Sequence, residues 1–309
     1  MPRNSFNDAF RNARNVKNDE FYTIYEDIES ELSEYDFTGK TIYCPCDDYR
    51  KSGFVKWFKN NFERCNIKLL ISTNYDIEDG AYEYRYDGNN EIIKKIDDGD
   101  FRSDNTKNIM KYEADIIITN PPFSIYREYM KQILSTGKEF IVIGSLNSFS
   151  YNDTIRAFVD DKIGFGYNKS KTGTRVGNHM SYETPSGETK TIPSFWYTNI
   201  KHHIPRLITG TKFKDKEYEV FDNAPHIINV DRKKDIPDDY YGYMGVPVTT
   251  IPFISRDEFE ITGRLQSSTI NDINPYGRPY INGKEKFVRI IIKRKEDGVE
   301  KNVRVKQDS

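Results

Sequence analysis

Cysteine is scarce in this chain and poorly spaced for metal. Among 309 residues there are three, Cys44, Cys46 and Cys65. A C-x-C pair with a distant third matches no structural zinc pattern, and an odd number argues against a disulfide scaffold, so no metal site is expected. Long apolar runs are missing too. No stretch approaches the ~20 residues that a membrane span needs, and the polar, charged segment from Met1 to Asp19 does not look like a signal sequence. The expectation is a soluble, cytoplasmic protein with no membrane partner. A dominant charge sign is also absent. The formal net charge is −2, which does not advertise a nucleic-acid partner, although the residues from Ile200 onward are net positive and the earlier ones net negative. The last absence is a glycine-rich turn after the first strand, where only Gly53 stands, and that counts against a dinucleotide site.

What the chain does have is aromatic residues, 14% of the total, which argue against disorder, and enough length for a large domain and a smaller one. Residues 1–20 read as a mobile lead-in. A helix over Ile24–Leu32 follows, with Thr23 placed to cap it. Thr41–Cys46 is a short apolar strand ending in Asp47-Asp48, and Ser52 caps a helix that carries Phe54, Trp57, Phe58 and Phe62 on one face. Lys68–Thr73 is a second buried strand, running into Asn74-Tyr75-Asp76. The spacing predicts a βαβ unit with parallel strands and a right-handed crossover. Residues 77–98, with alternating Tyr82, Tyr84 and Tyr86 and a turn at Asp87-Gly88, read as an inserted hairpin.

The stretch Asp115–Phe123 organises the rest. Ile116–Ile118 reads as a strand buried on both faces, and Thr119-Asn120 leads off its end into Pro121-Pro122, a pair that cannot continue a ladder. A helix capped by Ser124 and stopped by Gly137, a strand over Phe140–Gly144 and a helix over Asn152–Lys162 come next. Residues 166–190 form a polar loop that either stays solvated or closes over a polyanion with Lys169, Lys171, Arg175 and His179. Thr191–Asn199 is the last strand of the main sheet. Beyond Ile200 the texture changes to short β-like runs, Val246–Ile254, Phe259–Thr262 and Phe287–Ile292, which suggest a smaller mixed second domain over residues 200–309 after a main domain over 21–199. Its loops Asn271–Arg278 and Asn282–Lys286 can offer side chains to base edges, and Lys293-Arg294-Lys295 can meet phosphates.

The strand ends carry the chemistry. Asp47 and Asp48, above a helix N-terminus, suit a ligand with a cationic end and donor groups, because carboxylates only accept hydrogen bonds. Asn74 and Tyr75, at the second strand end, lie where a ribose meets polar groups in such sheets. Asp100 and Phe101 set an acceptor beside an apolar face, as an adenine ring asks. Asn120 and the Pro121 carbonyl can accept both hydrogens of an NH2 group while Phe123 offers a ring on which a planar base can stack. An aromatic amine is a poor nucleophile because its lone pair is delocalised, and two acceptors that draw its hydrogens toward tetrahedral geometry localise that pair. Each station alone also fits an ordinary strand end. Their order along one sheet edge matches what S-adenosylmethionine and a flipped base would need.

In these blocks the chain resembles the EcoRI-type adenine-specific DNA methyltransferases. The resemblance is carried by Asp19-Glu20-Phe21-Tyr22-Thr23 with Asp27–Leu32, Tyr43-Cys44-Pro45-Cys46-Asp47-Asp48, Asn61-Phe62-Glu63, Leu70–Thr73, Gly99-Asp100-Phe101, Thr119–Ser124, Phe195–Asn199 and Gly245–Thr249. It departs at Tyr49, where that family often has proline. The resemblance implies an α/β fold, a Rossmann-like seven-stranded methyltransferase sheet followed by a β-rich target-recognition region. It also implies methyl transfer from S-adenosylmethionine to adenine N6 in double-stranded DNA, with a restriction endonuclease of the same specificity as a possible partner. Position by position, Phe21, Tyr22 and Thr23 would cover the cofactor, Cys46, Asp47 and Asp48 would line its methionine end, and Asp100 and Phe101 would hold its adenine. Asn120, Pro121, Pro122 and Phe123 would clamp the target base. RNA adenine, cytosine N4 of DNA or a protein glutamine as substrate, or an inactive DNA-binding protein on the same fold, remain open alternatives on the residues alone.

Overall fold

In a computed structural model that describes residues 22–76, 80–122, 125–168, 180–183, 189–192 and 194–296, the apolar runs become neighbouring strands. Close contacts divide the chain into two units. One holds residues up to Leu146 together with Ile163–Lys201; the other holds Asn147–Lys162 and the residues from His202 on.

The first unit is built on an eight-stranded sheet. Strands β2 (Thr41–Pro45), β3 (Leu69–Asp76), β6 (Ile116–Thr119) and β7 (Glu139–Gly144) run parallel in the order β3-β2-β6-β7. All residues of β2 and β6 are buried, as expected for strands covered on both faces. On one side β11 (Phe195–Thr198) pairs antiparallel with β7 and then with β8 (Gly164–Phe165). On the other, β4 (Gly80–Tyr86) and β5 (Glu91–Ile96) form the expected hairpin, but it continues the sheet from β3 rather than standing apart, so the sheet has eight strands where seven were expected. A separate three-stranded sheet joins β1 (Tyr22–Thr23) to the hairpin β9 (Met180–Glu183) and β10 (Thr189–Ile192). The expected single strand over Thr191–Asn199 is thus divided between two sheets.

Helix α1 (Tyr25–Leu32) turns Ile28 and Leu32 inward. Its N-cap is Ile24, without a side-chain cap, and Thr23 serves elsewhere, as described below. Helix α2 (Gly53–Asn60) starts as expected: Ser52 accepts hydrogen bonds from the N–H groups of Phe54 and Val55 at 3.1 and 3.3 Å, and Phe54, Val55, Trp57 and Phe58 are buried. A short helix α3 (Asp104–Asn108) precedes β6. Helix α4 (Tyr126–Thr136) buries Tyr126, Tyr129, Met130 and Ile133 and ends at Gly137, whose φ of 66° is the left-handed terminator. Ser124, the cap expected for it, lies outside the described residues.

The second unit has a five-stranded sheet of β12 (Val220–Phe221), β13 (Ala224–Asn229), β14 (Tyr243–Pro247), β18 (Arg289–Arg294) and β15 (Phe259–Leu265) in that order, with β13 and β14 parallel. Helix α5 (Asn152–Val159) lies against β15. The run Val246–Ile254 is strand only at its start: Pro247 ends it, and Val248–Phe253 is a 3-10 turn containing Pro252. A small hairpin, β16 (Tyr280–Ile281) and β17 (Lys284–Glu285), completes the unit. Two expectations for a DNA-facing surface are corrected here. Asn271 and Asn274 spend their side chains on their own loop, Asn274 donating to the Ser267 and Thr269 carbonyls at 2.9 and 2.7 Å. Arg294 is buried, with its guanidinium over the Phe259 ring and ion-paired to Glu258. Only Lys295 of that basic triplet is exposed, Lys293 being half-buried.

Candidate active site

Strands β2 and β6 are neighbours, and β3 and β7 are added on opposite sides of them. Their carboxyl ends therefore border the point where strand order reverses, the crevice in which open α/β sheets bind ligands. The chain leaves β2 through Cys46, which has a φ of 62°. A non-glycine residue in that region stores of order 1–3 kcal/mol of strain, and here the turn aims Asp47 back across the sheet edge.

Asp47 joins three elements. Its N–H donates to the Thr73 carbonyl of β3 at 3.0 Å. Its carboxylate accepts from Ser52 Oγ at 2.6 Å and lies 3.3 Å from Thr119 Oγ1, whose hydroxyl also donates to the Pro45 carbonyl at 2.7 Å. Burial pushes this carboxyl up to about 7, against the opposing effect of the two hydroxyl donors, and nearby Asp48 adds to the rise. Solvent reaches Cys46, yet protein surrounds it closely enough that desolvation, then the charges of Asp47 and Asp100, pushes its thiol up to about 12. A residue both reachable and desolvated is what the wall of a recess looks like.

Asn120 emerges half-buried at the end of β6, and its Nδ2 donates to Thr23 Oγ1 at 3.3 Å. Pro121 is buried behind it and Pro122 is half-buried. On the far side of Cys46, Asp100 is gripped by Arg102 through two hydrogen bonds of 2.7 and 2.6 Å. Phe101 is 1% exposed, with its ring 4.5 Å from that of Tyr129, so it backs the wall behind Asp100 rather than presenting the open apolar face expected for an adenine. Gly99 explains how this loop reaches the end of β3: a Cβ there would sit 2.0 Å from the Asn74 carbonyl oxygen.

The structure thus brings together Thr23, Cys46, Asp47, Asn74, Asp100 and Asn120. It places Asp48 otherwise than expected. That carboxylate is buried and committed to Arg50, which donates to it at 2.8 and 2.9 Å, and so shapes the turn. Phe21 and Phe123 lie outside the described residues, as do Lys169, Lys171, Arg175 and His179, and the side chains of Tyr22 and Tyr75 are not described. Two residues of the wall were read from the sequence only as core or strand. Thr119 is one. The other is Tyr129, buried on α4, whose hydroxyl lies near Cys46, Tyr43, Asp47 and Thr119. A hydroxyl on the buried face of an amphipathic helix was the available signal.

A profile of the adenine-specific methyltransferase EcoRI family matches residues 9–295. The chain is 34% identical over 330 residues to Type II methyltransferase M.EcoRI of Escherichia coli, covering 96% of this chain and 99% of that one. It is 32% identical over 315 residues to Type II methyltransferase M.MgeORF184P of Mycoplasma genitalium, covering 93% and 99%. With Type II methyltransferase M.MpnI of Mycoplasma pneumoniae the identity is 29% over 318 residues, covering 93% and 98%.

Proposed function

The chain belongs to the EcoRI-type family of adenine-specific methyltransferases, and from that membership we propose that it methylates N6 of an adenine flipped out of duplex DNA, using S-adenosylmethionine. The observation that supports this most is Asn120: an amide at the carboxyl end of β6, beside the switch point, with Nδ2 directed at Thr23. The opposite amide atom, Oδ1, is then the acceptor that an exocyclic amine needs, and the Pro121 carbonyl is the second. Together they draw the two N6 hydrogens out of the ring plane and localise the lone pair on nitrogen. Phe123 would stack on the base. Flipping costs a few kcal/mol, which contacts elsewhere on the protein must offset.

The residues at the strand mouths fit the cofactor. The buried Oδ1 of Asn74 lacks a hydrogen-bond partner among the described residues, and a ligand rich in hydroxyl and amino donors would satisfy it. Asp47 offers a carboxylate to a cation. When bound, S-adenosylmethionine supplies an electrophilic methyl on a sulfonium. Cys46, Asp47, Asn74, Tyr75, Asp100 and Phe101 would hold it, with Phe21 and Tyr22 over it, while Thr23, expected to cover it as well, has its hydroxyl on Asn120. Asp48 would contribute through the turn that it makes with Arg50.

The partner in this reading is double-stranded DNA, and the Type II names of the relatives suggest a cognate endonuclease acting on the same site. No described helix is long and apolar enough to cross a membrane. The test is incubation with methyl-labelled cofactor and, separately, duplex DNA, single-stranded DNA and RNA, followed by digestion to nucleosides. Label in N6-methyladenine from duplex DNA is expected. Label confined to RNA or to N4-methylcytosine would redirect the substrate, and DNA binding with neither label nor cofactor binding would refute the enzyme.

A further inference from the structure

We propose that Thr23 is a positioning residue for the Asn120 amide, and that residue 53 is glycine so that Thr23 can reach it. The proposal rests on the clamp assigned to Asn120 above. Thr23 belongs to β1, in the three-stranded sheet, where it lies opposite Tyr182 of β9. Its side chain is buried nonetheless, and its Oγ1 lies 3.3 Å from Asn120 Nδ2, 97 residues further along the chain. The terminal torsion of an asparagine has two similar wells that exchange Oδ1 and Nδ2. In the wrong well the amide would point a donor at an amine that itself needs acceptors. The Thr23 hydroxyl receives the Nδ2 hydrogen and ties the amide to β1, which fixes the plane and position of the amide before any base arrives, and that is preorganisation of the clamp. A hydroxyl can accept or donate, so the incoming amine, which needs acceptors, selects between the two wells.

Gly53 supplies an independent observation. It opens α2, where glycine is among the poorest helix formers. A Cβ there would lie 2.7 Å from Ile28 Cδ1 and 2.9 Å from the Thr23 carbonyl oxygen. The Thr23 backbone therefore rests on the start of the helix that follows β2, while its hydroxyl reaches the residue that follows β6. The two sides of the crevice meet at this one residue, which neither sheet's own pairing requires.

The experiment is single-turnover methyl transfer at saturating cofactor and duplex DNA, with cofactor dissociation constants measured by calorimetry on the full chain. Thr23→Val should lower the saturated rate about tenfold or more, leave cofactor affinity within about threefold, and be largely rescued by Thr23→Ser. Gly53→Ala should lower the rate in the same sense, and the double variant should be no slower than Thr23→Val alone, since both act on one contact. A parental rate for Thr23→Val would overturn the proposal. So would a loss confined to cofactor affinity, which is the mark of a covering residue. Should Thr23→Val fail to fold, Gly53→Ala decides: a parental rate there overturns the proposal and a reduced one with unchanged cofactor affinity supports it. A parental rate for Asn120→Ala would instead refute the clamp itself, a failure visible without any Thr23 variant.

Discussion

Oγ1 of Thr119 lies 3.3 Å from Oδ2 of Asp47, tying the residue before the clamp to the turn after β2. Asp47 is thus shared by the two halves of the crevice, and burial pushes it up to about 7. A cation bound beside it favours the carboxylate, so cofactor binding should release a proton, and affinity should strengthen as pH rises from about 5.5 to about 7.5. Calorimetry in two buffers of different ionisation enthalpy measures that proton. Asp47→Asn should flatten the pH dependence, and wild-type affinity already flat over this window would count against Asp47 as a cofactor contact. The sign for stability is opposite. The folded chain holds a proton that the unfolded chain gives up near pH 3.9, so this contribution is complete below that value and is lost as pH rises through about 7.

Removing the clamp should separate chemistry from binding. Asn120→Ala is expected to cost about 10²-fold or more in the saturated transfer rate, with cofactor affinity little changed. Asn120→Asp keeps two acceptor oxygens, and Thr23 can donate to one of them, so it should retain more activity than the alanine variant. Equal rates for the two variants would show that acceptor chemistry at this position is not what matters.

The sheet was legible because Thr41–Cys46, Lys68–Thr73, Ile116–Ile118 and Phe140–Gly144 are short apolar runs broken by caps and prolines, and burial on both faces leaves that mark. The station at Asn120 was legible for the same reason, since Pro121-Pro122 must end a strand. Contacts distant in sequence left no such mark. Nothing local tells that Glu31, on α1, is buried to accept hydrogen bonds from the N–H groups of Tyr167 and Asn168 at 2.7 and 2.6 Å. Nor does it tell that Thr23 spends its hydroxyl on Asn120 instead of capping α1. Short polar side chains bond equally well to near and distant partners, so local reading assigns them to the nearest helix. Arg50 and Arg102 show the converse: each takes the carboxylate two residues before it, and an arginine at that spacing already hints that part of the accepting capacity of Asp48 and Asp100 is spent.

The loop before β6 offers a test of the cofactor shell that touches no polar group. Gly99→Ala places a methyl 2.0 Å from the Asn74 carbonyl, which is backbone and cannot swing aside. Relief requires moving the end of β3 away from Asp100, at about 1–3 kcal/mol in stability. Thermal melting should show that loss, and cofactor affinity should fall more than DNA affinity does, since Asn74 and Asp100 move together. A variant of unchanged affinity would place both residues outside the cofactor site.

The last prediction concerns what Arg294 does. A surface arginine in a basic triplet would be read as a phosphate contact, and its loss would reduce the salt dependence of DNA binding by about one released counterion. Arg294 is 2% exposed, lies 4.5 Å from the centre of the Phe259 ring, donates to the Pro237 carbonyl at 3.1 Å and pairs with Glu258. Glu258 also accepts from the Leu207 N–H at 3.1 Å. Glu258→Ala would strand a buried guanidinium and should cost about 3–5 kcal/mol. Arg294→Met with Glu258→Ala should cost clearly less than the two single changes added together, because neither charge is left uncompensated. Urea unfolding of the four proteins gives the coupling energy. Lys295→Ala, by contrast, should leave stability unchanged, as expected for an exposed side chain on the surface of the second unit. If Arg294→Met instead folds as well as the parent and lowers the salt slope of DNA binding, the residue faces DNA and the buried pair is not what holds β18 in place.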